Sequence, residues 1–328
     1  MSGSAGDEID VGAVGARLIA GGLTEAAVRA CFGVRALAHV PRALAVRSDT
    51  GGAVPAAMLP WLFCAGRAVP TRVARLRLGD DLDALVGLGL VAIDGDAVIA
   101  TRALVPIGRA LAVCDRLDVA AYGVGDTGAS DALPWPDDSS HHLIGALPAA
   151  AVDRWLDVGT GAGLAPLAAP ALARAVRATD VNPRAIAAAR LGAALSGRAR
   201  GALAIERADL CDGADGRWDL VTFNAPIPGG PIADILDRFW AQVPARVAPG
   251  GEVIVHSVLG ADPLAATAAL TGAVAVVRYT PAEAPPFGIT AWRPDASSGR
   301  AVIDLALTAE QPHVGRADVD RAFAAAGA

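Results

Sequence analysis

The chain contains no lysine: all 28 of its basic residues are arginine. That absence excludes Schiff-base and pyridoxal-phosphate lysine chemistry. It also excludes a Walker A phosphate loop, whose lysine has no substitute here. Asparagine is nearly as scarce, with Asn182 and Asn224 the only two. Four cysteines, Cys31, Cys64, Cys114 and Cys211, stand far apart without a Cys-x-x-Cys pair, and no Cys or His cluster has zinc-ligand spacing. They read as small buried apolar groups in a reducing compartment, and no metal is expected.

The N-terminus, Met1 to Glu8, lacks the basic-then-apolar pattern of a secretory signal. Apolar stretches are broken by Pro or Gly, as from Pro55 to Gly66, or stop short of the roughly 20 residues a span needs, as from Pro263 to Val277. A cytoplasmic protein with no membrane segment is the expectation. Acidic residues outnumber basic ones 34 to 28, a net charge of −6. Without a basic face, tight non-specific binding to nucleic acid is disfavoured.

The 328 residues are 53% hydrophobic and 19% charged, which gives room for two folded domains and argues against a disordered chain. Residues 1–121 read as a smaller helical, winged-helix-like accessory domain. It opens with helices over Val11 to Val46, with Thr24 capping the segment Glu25 to Phe32. A stretch from Thr71 to Leu78 and an acid-led helix from Asp80 follow. Two β-like runs, Leu90 to Ile93 and Ala97 to Ala100, then meet at Asp94-Gly95, a hairpin-turn dipeptide. Residues 122–140, rich in Gly, Asp, Pro and Ser, read as a linker.

From residue 141 to 312 short strands alternate with helices, which predicts a doubly wound α/β sheet of seven strands, with 313–328 as a C-terminal tail or helix. The strands fall near Arg154–Val158, Ala175–Asp180, Ala202–Glu206, Asp219–Phe223, Glu252–Ser257, Val274–Tyr279 and Ala301–Leu307. Helices are expected over Leu164–Arg174, Pro183–Leu195, Pro231–Val243 and Pro263–Leu270. In such a sheet a ligand site lies at the carboxyl ends of the strands.

The loop after the first strand reads Asp157-Val158-Gly159-Thr160-Gly161-Ala162-Gly163. Glycines at this density let backbone approach a ligand closely. A dinucleotide fingerprint would need a third glycine at 164 or 166, where Leu164 and Pro166 stand, so that reading fails in both registers. An acid followed by glycines at alternate positions resembles the first motif of Rossmann-like S-adenosylmethionine (SAM) methyltransferases. The resemblance implies SAM as cofactor, with Gly159, Gly161 and Gly163 under its methionine part and Asp157 near its amino-acid end. It implies Asp180 on the ribose hydroxyls, Asp209 accepting from the adenine amino group, and Val181 and Leu210 on either side of the ring.

After the fourth strand comes Asn224-Ala225-Pro226-Ile227, which resembles the Asn-Pro-Pro-aromatic tetrad of HemK-like and related small-domain methyltransferases. The resemblance implies methylation of a nitrogen, with Asn224 and the Ala225–Pro226 backbone orienting the acceptor and Asn224 also close to the cofactor. Ala225 and Ile227 depart from the pattern, and Ile227 removes the usual stacking surface for a flat base or amide, which makes a small-molecule or peptide substrate more plausible than ribosomal RNA or a release-factor glutamine. The acceptor, whether small molecule, peptide, protein or nucleic acid, and the oligomeric state are left open. A methyltransferase for oxygen or carbon would need a base such as His256. A non-catalytic SAM- or nucleic-acid-binding regulator is the alternative of another class. His141 and His142 are candidate ligand contacts, and Trp292 reads as either a wall of the cleft or core.

Overall fold

The computed structural model describes residues 9–46, 57–117, 132–133, 135–198, 201–227, 234–281 and 285–328. Most of the expected linker, the expected start of a helix at Pro231 and Pro228 lie outside these residues. Contacts group the chain into two compact units, Met1–Asp137 with Ala187–Ala199, and Asp138–Ile186 with Arg200–Ala328. Among the described residues no single helix is long and apolar enough to cross a membrane.

The first unit begins with α1 (Val11–Ala20), α2 (Glu25–Phe32) and α3 (Val40–Val46). Thr24 Oγ accepts the Ala27 N–H, which caps α2 as its sequence position predicts. Strand β1 (Val69–Pro70), α4 (Thr71–Leu78), α5 (Asp81–Gly87), β2 (Val91–Asp94) and β3 (Ala97–Ala100) follow, the strands forming a sheet in the order β1-β3-β2. A second hairpin, β4 (Arg102–Ile107) and β5 (Ala110–Asp115), has no counterpart in the sequence reading. Both strands are buried on both faces, so no polar alternation marks them.

From Asp138 the chain runs α6 (Asp138–Ala146), β6 (Val152–Val158), α7 (Leu164–Ala168), β7 (Ala173–Asp180) and α8 (Pro183–Leu195), a helix most of which groups with the first unit, then β8 (Leu203–Arg207) and β9 (Trp218–Asn224). It continues through α9 (Ile235–Gln242), β10 (Val247–Val258), β11 (Ala273–Tyr279), β12 (Phe287–Arg293), β13 (Gly299–Asp304) and α10 (Arg316–Ala325). The strands form one sheet in the order β13-β11-β12-β10-β9-β6-β7-β8. Among the described strands only β12 runs against the rest.

Strand alternation splits the core into two layers. Trp155, Leu220, Ile254, Val277 and Ile289 face one way and pack with Leu143 of α6 and Val319 and Phe323 of α10. Leu156, Val158, Val221, Phe223, Val253 and Val255 face the other, with Phe239 and Trp240 of α9.

Among the described residues the sheet has eight strands where the sequence pattern indicates seven. The added one is β12, in Phe287-Gly288-Ile289-Thr290-Ala291-Trp292-Arg293, whose internal glycine reads as a loop signal. Gly288 is instead a close-approach residue: a Cβ there would lie 2.7 Å from Val277 O and 2.7 Å from Leu259 Cδ1. Two expected helices shrink. α7 stops at Ala168 because Pro170 disfavours helix at the residue before it and supplies no N–H. The segment from Pro263 forms only a 3-10 turn at Ala265–Thr267, and Arg300 donates to the carbonyls of Thr267, Ala268 and Leu270. Gly288→Ala is expected to cost about 1–3 kcal/mol by overpacking. A denaturant titration of the full chain checks this, and an unchanged midpoint would show that the strands tolerate a methyl group there.

Candidate active site

The sheet order reverses between β6 and β9: the chain winds from β6 to β7 and β8 on one side, and from β9 to β10 on the other. The loops after β6 and β9 therefore open side by side at the switch point, where doubly wound sheets bind ligands. Those loops carry the glycine run and the Asn224 tetrad.

Asp157 is buried on the α6-facing side of the sheet. Thr160 Oγ donates to its Oδ2 at 2.6 Å, and Thr222 Oγ donates to Oδ1. Thr222 in turn accepts the Trp155 indole N–H at 2.7 Å. Burial pushes the Asp157 carboxyl up to about 6, partly offset by the two threonine hydrogen bonds. Thr160 and Thr222 were not singled out from the sequence, although a threonine inside an apolar strand and another between glycines mark both positions.

The loop turns through three left-handed glycines, Gly159, Gly161 and Gly163, at φ of +59°, +55° and +77°. A Cβ at Gly159 would come to 3.0 Å of the Phe223 ring, whereas one at Gly161 would meet nothing within 4 Å. The loop is thus packed on one side and open on the other. Asp180, at the end of β7, joins it: Oδ2 accepts the Gly161 N–H and Oδ1 the Asn182 N–H, each at 2.8 Å. Each oxygen keeps a lone pair, so the half-buried carboxylate can still accept hydroxyl hydrogens. Asn182 caps α8, its Oδ1 accepting the Arg184 N–H.

Val181 is 59% exposed, while Leu210 is buried. Leu210 is the one non-glycine residue with positive φ among the described residues, at +50°. Such strain clusters at functional sites. Asp209 is half-buried and pairs through Oδ2 with Arg238 of α9, a partner that the sequence reading did not identify.

Asn224 ends β9 beside His256 of β10, and the His256 carbonyl accepts the Ala225 N–H at 2.9 Å. The Asn224 side chain is held at both ends: Nδ2 donates to Ser139 Oγ of α6 at 2.9 Å, and Oδ1 lies 3.0 Å from His256 Nδ1. His256 Nε2 lies 2.7 Å from the Tyr279 hydroxyl, so both ring nitrogens are engaged. Burial pushes His256 down to about 4 and keeps it neutral. Ser139 and Tyr279 carry no motif, but Tyr279 is one of only two tyrosines in the chain. Pro226 and Ile227 are exposed, Ile227 at 68%.

Three other candidates have structural places. His142 is buried and its Nδ1 accepts the Val314 N–H at 2.8 Å; burial, with the nearby His256 and His313, pushes it down to about 3. His141 stacks on His313, whose Nε2 pairs with Asp138 at 2.9 Å. Trp292 lies in β12, buried, with its indole N–H on Thr271 O; it is core, not a cleft wall. Among the described residues no group of His, Cys, Asp or Glu could hold a metal ion.

An open glycine loop flanked by a strand-end acid with spare acceptor capacity suits a ligand that carries hydroxyls and an amino-acid end. Residues 134–279 match the family model described as the methyltransferase small domain. This part of the chain is thus similar to the methyltransferase small domain.

Among curated proteins, it is 31% identical over 109 residues to the ribosomal protein L11 methyltransferase of Bacillus subtilis, covering 33% of each chain. It is 38% identical over 121 residues to that of Symbiobacterium thermophilum, covering 37% of each. The match thus spans about a third of the length of these relatives. Among solved structures, ribosomal protein L11 methylase from Lactobacillus delbrueckii subsp. bulgaricus aligns at 24% identity and a TM-score of 0.39, over 47% of this chain and 77% of that one.

The folded chain holds a proton on Asp157 up to about pH 6, whereas the unfolded carboxyl releases it near its ordinary value of 3.8. The raised value contributes stability that is fully present below the unfolded pKa and lost as pH rises through the folded one. Asp157→Asn is expected to flatten this part of the stability curve. Denaturation of both proteins from about pH 4 to 8 checks it, and superimposable pH dependences would refute the assignment.

Proposed function

We propose that this protein is a SAM-dependent methyltransferase that modifies a nitrogen of a protein or peptide in the cytoplasm. Asn224 carries the reading. It stands at the switch point, one strand from the glycine loop, with its amide oriented by Ser139 and His256. The backbone of Gly159, Gly161 and Gly163 would lie under the methionine part of SAM, with Asp157 near its amino-acid end. Asp180 would take the ribose hydroxyls through its spare lone pairs. Asp209, one oxygen held by Arg238, would accept from the adenine amino group through the other, between Val181 and Leu210.

When bound, SAM supplies an electrophilic methyl carbon that is lost by in-line displacement as the sulfonium is discharged. The chain's own part is alignment and exclusion of water. Asn224 Oδ1 and the Ala225 carbonyl would accept hydrogen bonds from the acceptor N–H groups and aim the nitrogen at that carbon. Pro226, with fixed φ and no N–H, stiffens the turn that presents the Ala225 carbonyl.

Ile227 offers an exposed aliphatic surface where an aromatic would stack a flat base or amide, which disfavours a nucleobase and leaves a peptide acceptor open. The curated relatives, named for ribosomal protein L11, support the same choice. The cysteines, all free and three of them buried, fit a reducing compartment. Transfer to oxygen or carbon would need a base, and His256 is buried with both nitrogens engaged.

Incubation with tritiated SAM, a size-fractionated lysate and recombinant ribosomal protein L11 tests the proposal. Base-stable label in protein supports it. Label in small molecules or RNA, or as a base-labile ester, overturns the acceptor assignment. Salt-dependent RNA binding without transfer would instead favour a regulator. Asn224→Ala is expected to lower turnover about 100-fold while SAM affinity stays within about twofold. Asp180→Ala should weaken SAM binding by about tenfold or more by calorimetry; unchanged affinity would remove Asp180 from the cofactor site.

A further inference from the structure

Behind Asn224 lies a chain of hydrogen bonds that ends in the interior of the sheet. Asn224 Nδ2 meets Ser139 Oγ, Asn224 Oδ1 meets His256 Nδ1, and His256 Nε2 meets the Tyr279 hydroxyl. Directions follow from the chemistry of each group. An amide oxygen only accepts, so His256 Nδ1 must carry a hydrogen. A neutral imidazole then has its lone pair on Nε2, which accepts from the Tyr279 O–H.

The ring is also fixed on its faces. His142 stacks at 5.9 Å between centroids with an interplanar angle of 2°, and Phe287 at 5.7 Å with 13°. At 1% exposure His256 cannot reach an acceptor molecule. Its backbone carbonyl holds the Ala225 N–H, so one residue fixes the backbone as well as the side chain at the start of the tetrad.

We propose that His256 is a positioning residue for methyl transfer, held by Tyr279 in its Nδ1–H form so that it locks the Asn224 amide with one Oδ1 lone pair left for the acceptor. His256 donates into Oδ1, which sets the amide plane, and Ser139 holds the opposite edge. Tyr279 acts one step further back by occupying the Nε2 lone pair. Without that donor, His256 is free to place its hydrogen on Nε2 and turn a lone pair toward the Asn224 oxygen, which the amide relieves by rotating. This inference rests on the methyl-transfer reading of Asn224, but its tautomer can be read without any activity.

The test has two arms on the full chain. In the first, long-range 15N–1H spectra of 15N-histidine-labelled protein report the hydrogen on each ring nitrogen. Wild type is expected to show His256 as the neutral Nδ1–H form and Tyr279→Phe to shift it toward Nε2–H. An Nε2–H form in wild type overturns the proposal.

In the second, label from tritiated SAM is followed into the lysate protein fraction that wild type labels. His256→Leu should lower kcat by about tenfold or more with SAM affinity within about twofold. His256→Asn, whose amide N–H takes roughly the place of Nδ1–H, should recover part of the loss. Tyr279→Phe, which keeps the ring packing, should lie between, and it preserves the test if the leucine variant does not fold. An active wild type matched in kcat by His256→Leu, or by Tyr279→Phe where the leucine variant does not fold, overturns the positioning role alone. A wild type that transfers no methyl group to any fraction overturns the functional reading.

Discussion

The Trp155 indole, Thr222, Asp157 and Thr160 form a continuous chain of hydrogen bonds inside an apolar layer, and the geometry of the site depends on that chain. A carboxyl buried among Trp155, Leu220 and Ile254 is tolerated only where its lone pairs find donors. The two donors come from different places, the glycine loop and strand β9. One satisfied carboxyl therefore ties the glycine loop to strand β9. Further along, hydrogen bonds run from Asn224 of β9 through His256 of β10 to Tyr279 of β11, past the intervening β12.

The glycine loop is shaped by what surrounds it as much as by its own freedom. Phe223 closes one side at Gly159, and the carboxylate of Asp180 anchors the Gly161 amide. The acid that would hold a ribose thus also sets the curvature of the loop, and the two functions use different lone pairs. At Asp209 the arrangement differs, since a cation from α9 already occupies one oxygen. That ion pair is half-exposed, so it contributes little to stability, and its effect is on orientation.

Helix α6 gives the site its second wall. Ser139, in its first turn, meets Asn224, and His142, one turn on, lies over the His256 ring. The helix is held in turn by the chain ahead of α10, through His313 on Asp138 and the Val314 N–H on His142. Gly145 allows this approach, because a Cβ there would sit 2.3 Å from the Val314 carbonyl oxygen. The last part of the second unit thus bears on the helix that holds Asn224.

Strand β6, the glycine loop, the strand-end acids and helix α8 were legible because each is specified within a few residues: an apolar run, an acid, glycines, then Asn182-Pro183 at a helix start. Asn224 was legible through its rarity and its place after a strand. Strand β12 and the β4–β5 hairpin were not, because Gly288 resembles a turn and wholly buried strands lack alternation. Ser139, Thr222, Tyr279 and Arg238 carry no motif either; their meaning lies in which neighbour they face. Local steric and hydrogen-bonding preferences set the order of elements and the loop chemistry from the chain alone. The eighth strand, the neutral histidine behind Asn224 and the raised carboxyl of Asp157 arise only when residues up to about a hundred positions apart share one desolvated sheet face, since burial and partner geometry are properties of packing.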